Sequence, residues 1–280
     1  MIGREYSSVF PSMPEKRPEG PAMLRLKGLT WAGQLNDVNL DIKAGEVVGL
    51  GGLDGQGQRQ LLLALFGTLI GVTGTVEIDG KTVKLSNPGR AKSEDIGMAL
   101  IPEDRKNEGL MLPMSVRDNL SFASIDGFSR FGIVDRKAEA AAIDGMIKLL
   151  NIRVGDIDGP VASLSGGNQQ KVVIAKWLMT KPRIILLNDP TRGIDVGTKQ
   201  ELYELLRRLA EGGAAILFYS TDYDELIGCC DRVLVFYNGA VVRTLEGESL
   251  TEHNLIASAL NLPQSNGATG APAFAMEAAT

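Results

Sequence analysis

The sequence predicts an α/β domain built on a mainly parallel sheet with covering helices. Three observations carry this reading. Short apolar runs bounded by Gly, Pro, Asp or Asn recur along the chain, helix-spaced apolar patterns lie between them, and a glycine-rich turn joins one such run to one such pattern. The runs are Glu46 to Leu50, Ile184 to Leu187, Ala215 to Tyr219 and Val233 to Tyr237. The helical patterns are Gln58 to Phe66, Arg136 to Leu150, Gln169 to Leu178 and Lys199 to Ala210. Strands alternating with helices in this way become parallel neighbours through crossover connections. Val76 to Leu85 reads differently, as two short strands around Asp79-Gly80, a dipeptide suited to the positive φ angles of a tight hairpin. It adds an antiparallel element early in the fold.

The ends of the chain differ in composition from the middle. Residues 1–22 are rich in Pro, Ser and charge and are expected to be a linker, with the globular domain spanning 23–262. Residues 263–280 are small and poor in large apolar side chains, and are expected to be disordered. No internal repeat is present, so the chain holds one such domain.

Composition narrows the function. The 280 residues suffice for a core without staples, and 29 basic against 34 acidic side chains, a formal charge of -5, argue against a surface built to neutralise nucleic-acid phosphates. Cys229 and Cys230 are neighbours without zinc or disulfide spacing and read as buried packing residues of a reducing compartment. The first residues lack an apolar run long enough for a secretory signal. The longest apolar stretches, Leu61 to Phe66 and Ala214 to Tyr219, are far short of the ~20 residues that span a bilayer. Association with a membrane would therefore go through a partner.

The glycine-rich turn is Gly52-Leu53-Asp54-Gly55-Gln56-Gly57-Gln58-Arg59, placed after an apolar strand and before a helix as a phosphate-cradling loop is. Gly52, Gly55 and Gly57 fit that skeleton. Against GxxxxGK[ST], however, Gln58 stands where the phosphate-binding Lys belongs, and Arg59 replaces the hydroxyl that ligates Mg²⁺. An ammonium about 4 Å from a phosphate charge contributes roughly 4 kcal/mol at an effective dielectric of about 20, before desolvation. Arg59 can swing toward phosphates and recover some attraction, but it cannot bind the metal, and Asp54 adds a like charge nearby.

Leu164-Ser165-Gly166-Gly167-Asn168-Gln169-Gln170-Lys171 precedes the helix through Trp177. Ser165 can cap that helix, and two glycines let backbone amides approach a phosphate closely. The segment resembles the LSGGQ signature of ATP-binding cassette (ABC) proteins, in the extended form of sugar importers. Ile184 to Asp195 likewise resembles a Walker B strand followed by a D-loop, with Asn188 and Asp189 where the family has Asp then Glu. That removes a formal charge from the Mg²⁺ site and shortens the general base by one methylene. Thr221 stands at the switch-histidine position and Glu103 at the Q-loop glutamine, with Glu103-Asp104-Arg105-Lys106 continuing as in second cassettes of sugar importers. The single histidine, His253, reads as solvent-exposed.

The resemblance runs in family order from about Leu24 to Leu260, and Met1 to Glu5 looks like the hinge into a second cassette. It implies a P-loop NTPase fold with a RecA-like core, an antiparallel β subdomain and a helical subdomain at about 113–163 that touches a permease. It also implies a division of labour. Ser165, Gly166, Gly167 and Gln169 would serve ATP held by a competent partner cassette, Asp195 would face that cassette, and ATP and Mg²⁺ would be held weakly or not at all at the degenerate local positions Asn188, Asp189, Glu103 and Thr221. The implied partners are that cassette, fused or separate, an integral membrane permease and, indirectly, a periplasmic sugar-binding protein. The implied place is the cytoplasmic face of a bacterial inner membrane, peripherally bound. Two alternatives stay open on the residues alone: a regulatory or vestigial cassette, and a soluble ABC ATPase of the translation or DNA-repair kind, although the charged coiled-coil inserts common in the latter are absent.

Overall fold

The computed structural model describes residues 10–12 and 18–262. The expected tail at 263–280, the hinge-like start and most of the expected linker lie outside the described residues.

The chain opens with the antiparallel pair β1 (Ala22–Trp31) and β2 (Leu35–Lys43), continues into β3 (Val47–Gly52) and helix α1 (Gln58–Leu65), and returns as the hairpin β4 (Thr73–Ile78) and β5 (Lys81–Val83). Helix α2 (Pro88–Lys92) leads to β6 (Met98–Ile101). Helix α3 (Val116–Ser121), the hairpin β7 (Ser129–Arg130) and β8 (Ile133–Val134), α4 (Arg136–Leu149) and α5 (Gly166–Leu178) follow. The remainder alternates: β9 (Ile184–Asn188), α6 (Val196–Glu211), β10 (Ala215–Tyr219), α7 (Tyr223–Cys229), β11 (Arg232–Tyr237), β12 (Ala240–Glu246) and α8 (Glu252–Ala259).

These strands make a central six-stranded sheet, order β12-β11-β3-β10-β9-β6, and a four-stranded antiparallel sheet, order β2-β1-β4-β5. The central sheet is parallel except for β12, which returns antiparallel along β11. Side-chain alternation along each strand divides the core in two. From β10, Ile216 and Phe218 face a layer with Val116, Leu120, Ile143, Val173 and Leu226, whereas Ala215, Leu217 and Tyr219 face Leu61, Leu65, Leu24 and Ile42 between the sheets. Strand β3 obeys the same rule, with glycine on the crowded side. A Cβ at Gly49 would lie 2.8 Å from Val233 Cγ2 and one at Gly51 2.9 Å from Val233 Cγ1, so both glycines let β11 and α7 close on β3.

The hairpin forms where the sequence places it, with Asp79 at φ 49° and Gly80 at φ 74°. Elsewhere the structure adds strands the apolar runs do not announce: β1, β2, β6 and β12. Residues 113–163 hold α3, α4 and short turns, but also the small β7/β8 hairpin. Phe10, in the stretch expected to be a linker, packs against Tyr203 with ring centroids 5.2 Å apart.

Both cysteines are buried and unbridged. Burial pushes the Cys229 thiol up to about 12 and Cys230 well above its ordinary value, which leaves both protonated and inert at neutral pH. Among the described residues no helix is long and apolar enough to cross a membrane.

Candidate functional site

The glycine loop bridges the C-terminal end of β3 and the start of α1, the usual place for a site in an open parallel sheet. Its glycines are required by conformation: Gly52, Gly55 and Gly57 have φ of 124°, 78° and 113°. Neighbours hold it from several sides. Tyr219 donates to Asp54 Oδ1 at 2.9 Å, and the Asn238 and Gly239 amides donate to Gln56 Oε1 and Gln56 O at 2.7 and 3.0 Å.

Gln58 points into this loop. Its Nε2 donates to Gly51 O at 3.1 Å and Leu53 O at 3.0 Å, its side chain is 1% exposed, and its Oε1 is buried without a partner. Arg59 turns away and pairs with Glu108 Oε1 at 2.7 Å. Sequence spacing did not foretell either direction, because the partner of Arg59 lies in a turn far along the chain.

Asn188 ends β9 and Asp189 follows it. Asn188 is 2% exposed and its Oδ1 has no partner. Asp189 takes φ 44°, a left-handed conformation that Asp tolerates better than most residues, and its Oδ2 accepts from the Thr221 hydroxyl at 2.9 Å. Burial pushes the Asp189 carboxyl up; the Thr221 bond pulls it back, and the carboxylates of Glu225 and Glu103 raise it further. Glu103 pairs with Arg192 in the loop after β9. Thr221 with Asp189 and Glu103 with Arg192 are thus two polar pairs at the ends of β10, β9 and β6, linked by the Arg192 backbone N–H, which donates to Asp189 O at 3.3 Å. His253 lies elsewhere, exposed on α8.

The Ser165-Gly166-Gly167 turn opens α5. Ser165 stands at the N-cap position, but its side chain caps no backbone N–H. Its hydroxyl instead accepts from Asn168 Nδ2 at 3.0 Å, which corrects the expected capping role. Gln169 is turned inward: its Nε2 donates to Leu164 O at 3.1 Å and its backbone N–H to Ser165 O at 2.9 Å. Ser165 is exposed and Gly166 and Gly167 are half-buried, so these three residues and not Gln169 form the accessible lip. Asp195 caps α6, accepting from Thr198 N at 3.0 Å and Thr198 Oγ1 at 2.9 Å. Those bonds hold its carboxyl below the ordinary range. A Cβ on Gly167 would lie 2.6 Å from Thr198 Oγ1, so glycine is needed there for α5 to meet the start of α6.

One residue here is invisible to motif reading. Glu225, 1% exposed on α7, accepts from Thr191 at 2.7 Å, Ser220 at 2.7 Å, Lys199 at 2.6 Å and Tyr203 at 2.8 Å. It ties the loop after β9 to the end of β10 and to α6. No local signal marks it, since its four partners come from three separate segments.

A family model described as ABC transporter matches residues 35–192. A ribose import ATP-binding protein of Rhizobium etli is 66% identical over 262 residues, covering 94% of this chain and 51% of the relative; the chain thus spans about half the length of such relatives. Among solved structures, one cassette from Clostridium perfringens, described as part of an ABC transporter complex, superposes with TM-score 0.68 at 25% identity, covering 86% of this chain and 96% of that one. A dimeric cassette bound to ADP and phosphate superposes with TM-score 0.67 at 25% identity, covering 82% of this chain and 99% of that one.

Proposed function

The chain belongs to the ABC transporter family and has its P-loop NTPase fold, and from that membership we propose that it is the signature-donating cassette of an ATP-driven monosaccharide importer, serving ATP bound by a partner cassette. The observation that carries this reading is the contrast between two turns. The Ser165-Gly166-Gly167 lip is accessible at the start of a 13-residue helix, where backbone N–H groups and the helix dipole favour an anion. The chain's own glycine loop is filled by the Gln58 side chain and lacks the cation of a working site.

The local residues do not fit a magnesium triphosphate. The unpartnered Asn188 Oδ1 is a neutral oxygen where a hard divalent ion favours carboxylate, and Arg59, turned away to Glu108, supplies no hydroxyl ligand to the metal. Asp189 retains a carboxyl, but it is one methylene shorter than a glutamate base and its Oδ2 is engaged by the Thr221 hydroxyl. Hydrolysis is therefore assigned to the partner's site. Closure of the two cassettes around ATP would move the attached permease, at the cytoplasmic face of the inner membrane. The name of the Rhizobium etli relative favours ribose or a similar sugar, delivered by a periplasmic binding protein.

The test is ATPase activity of the chain alone and mixed with a competent cassette. The expected result is negligible turnover alone and robust turnover in the mixture, insensitive to Asp189→Asn in this chain. Robust turnover by the lone chain, abolished by Asp189→Asn, would overturn the reading.

A further inference from the structure

The function proposed above leaves the Glu103-Asp104-Arg105-Lys106 segment without a role. Asp104 caps a single π-helical turn, Arg105–Gly109, accepting from Lys106 N at 2.9 Å and Asn107 N at 3.1 Å, and so fixes the point from which the Arg105 side chain departs. That side chain runs to the lip of α5. Its Nη2 lies 2.9 Å from the position of a Cβ on Gly166, and its Nη1 lies 3.8 Å from one on Gly193. The absence of a side chain at residue 166 is what lets the guanidinium lie there.

The guanidinium is poorly satisfied where it lies. Nη1 donates to Arg192 O at 3.3 Å and Nη2 to Gly193 O at 3.5 Å, both long, and the buried Nε has no partner. Among the described residues no carboxylate stands within ion-pair distance of Arg105, whereas Arg59, Arg192, Arg207 and Arg232 are each paired. A cation beside a helix N-terminus is also opposed by the helix dipole. An anion seated between them would be attracted by both and would relieve the conflict. The open cleft alongside, lined by Glu103, Asp104, Arg105, Lys106 and Arg192, leaves room for approach from solvent.

We propose that Arg105 is a further ligand of the partner cassette's ATP, meeting the γ-phosphate from the same side as Ser165 and Gly166; this rests on the signature-donating reading above. A planar guanidinium with free N–H groups is matched to phosphoryl oxygens and stabilises the charge spread over them during transfer. Its loose bonds to the carbonyls of Arg192 and Gly193 let it reorient when the phosphate arrives.

The experiment uses the assembled transporter, with Arg105→Met, Arg105→Lys and Ser165→Asp made in this chain, and ATP and ADP as probes. Arg105→Met is expected to raise the ATP concentration for half-maximal closure and turnover by roughly 10- to 100-fold, the size of a lost charge-assisted contact. ADP affinity should stay unchanged, and Arg105→Lys should recover part of the loss. An equal shift for ATP and ADP, as a cross-interface pair with a partner carboxylate would give, overturns the proposal, as does no shift for either. If Ser165→Asp abolishes turnover while Arg105→Met is silent, only the role of Arg105 falls. If Ser165→Asp is harmless, the signature-donating reading falls and takes this proposal with it.

Discussion

Ser165→Asp in this chain is expected to lower ATP turnover of the assembled transporter by about 100-fold or more, without destabilising the fold, even though the proposed arrangement puts the hydrolysed nucleotide on another cassette. The two halves of this expectation come from the same position. Ser165 stands at the N-cap of α5 and makes no cap bond with its side chain. Asp is among the best N-cap residues and places a negative charge at the favourable end of the helix dipole, so stability should hold or rise by up to about 1 kcal/mol. The same carboxylate would face the partner's triphosphate. Two unit charges about 4 Å apart repel by roughly 4 kcal/mol at an effective dielectric of about 20, enough for a loss of that size. Steady-state hydrolysis by the complex, set beside the thermal midpoint of the variant chain, measures both halves. Normal turnover would show that this turn faces no phosphate.

Glu225→Ala is expected to cost the chain about 3–5 kcal/mol of stability, the range for breaking a buried ion pair from one side. The side chain is 1% exposed and its two oxygens gather four donors. Its loss leaves Lys199 with only Asp222 at 3.7 Å as a charge partner, and leaves three hydroxyls, of Thr191, Ser220 and Tyr203, without their common acceptor. Glu225→Gln, which keeps the shape but loses the charge and turns one acceptor into a donor, should fall between. Urea denaturation of the purified chain reads this as a lower midpoint at unchanged slope. A change below about 1 kcal/mol would mean that the four bonds are replaced by water at little cost. Because Glu225 joins the Thr191 loop to Ser220, beside Thr221, the alanine variant should also loosen the geometry between Asp189 and the Asp195 end of that loop.

The parts of the fold legible in the sequence are those with an unmixed signal. Strands β9 and β10 are buried on both faces and read as continuous apolar runs, and Asp79-Gly80 names its own turn. Strands β1 and β2 are antiparallel and half solvated, so Leu24, Leu26 and Leu29 are interleaved with Arg25, Lys27 and Gly28, and no apolar run forms. Strand β12 is an edge strand with mostly half-buried residues and is masked for the same reason.

At the candidate site, spacing marked the glycine loop, the Asn188-Asp189 turn, Thr221 and the Ser165 turn, all of which lie at strand or helix ends. It did not give side-chain direction. Gln58 and Gln169 are turned inward because carbonyls of their own loops accept from them, and Arg59 is turned away by Glu108. These outcomes depend on partners that only the folded chain brings near. Glu225 escaped for the same reason, and Arg105 was marked only as part of the Glu103 to Lys106 run: the role of a charged residue stays hidden until its neighbours are known.

The central claim concerns which turn meets the triphosphate, and vanadate photocleavage reads that directly. When the assembled transporter is trapped with ATP and vanadate and irradiated, the backbone is cut where it touches the γ-phosphate position. Scission of this chain at residues 165–167, with its 52–58 loop intact, is the predicted result. Scission at 52–58, with residues 165–167 intact, would contradict the account.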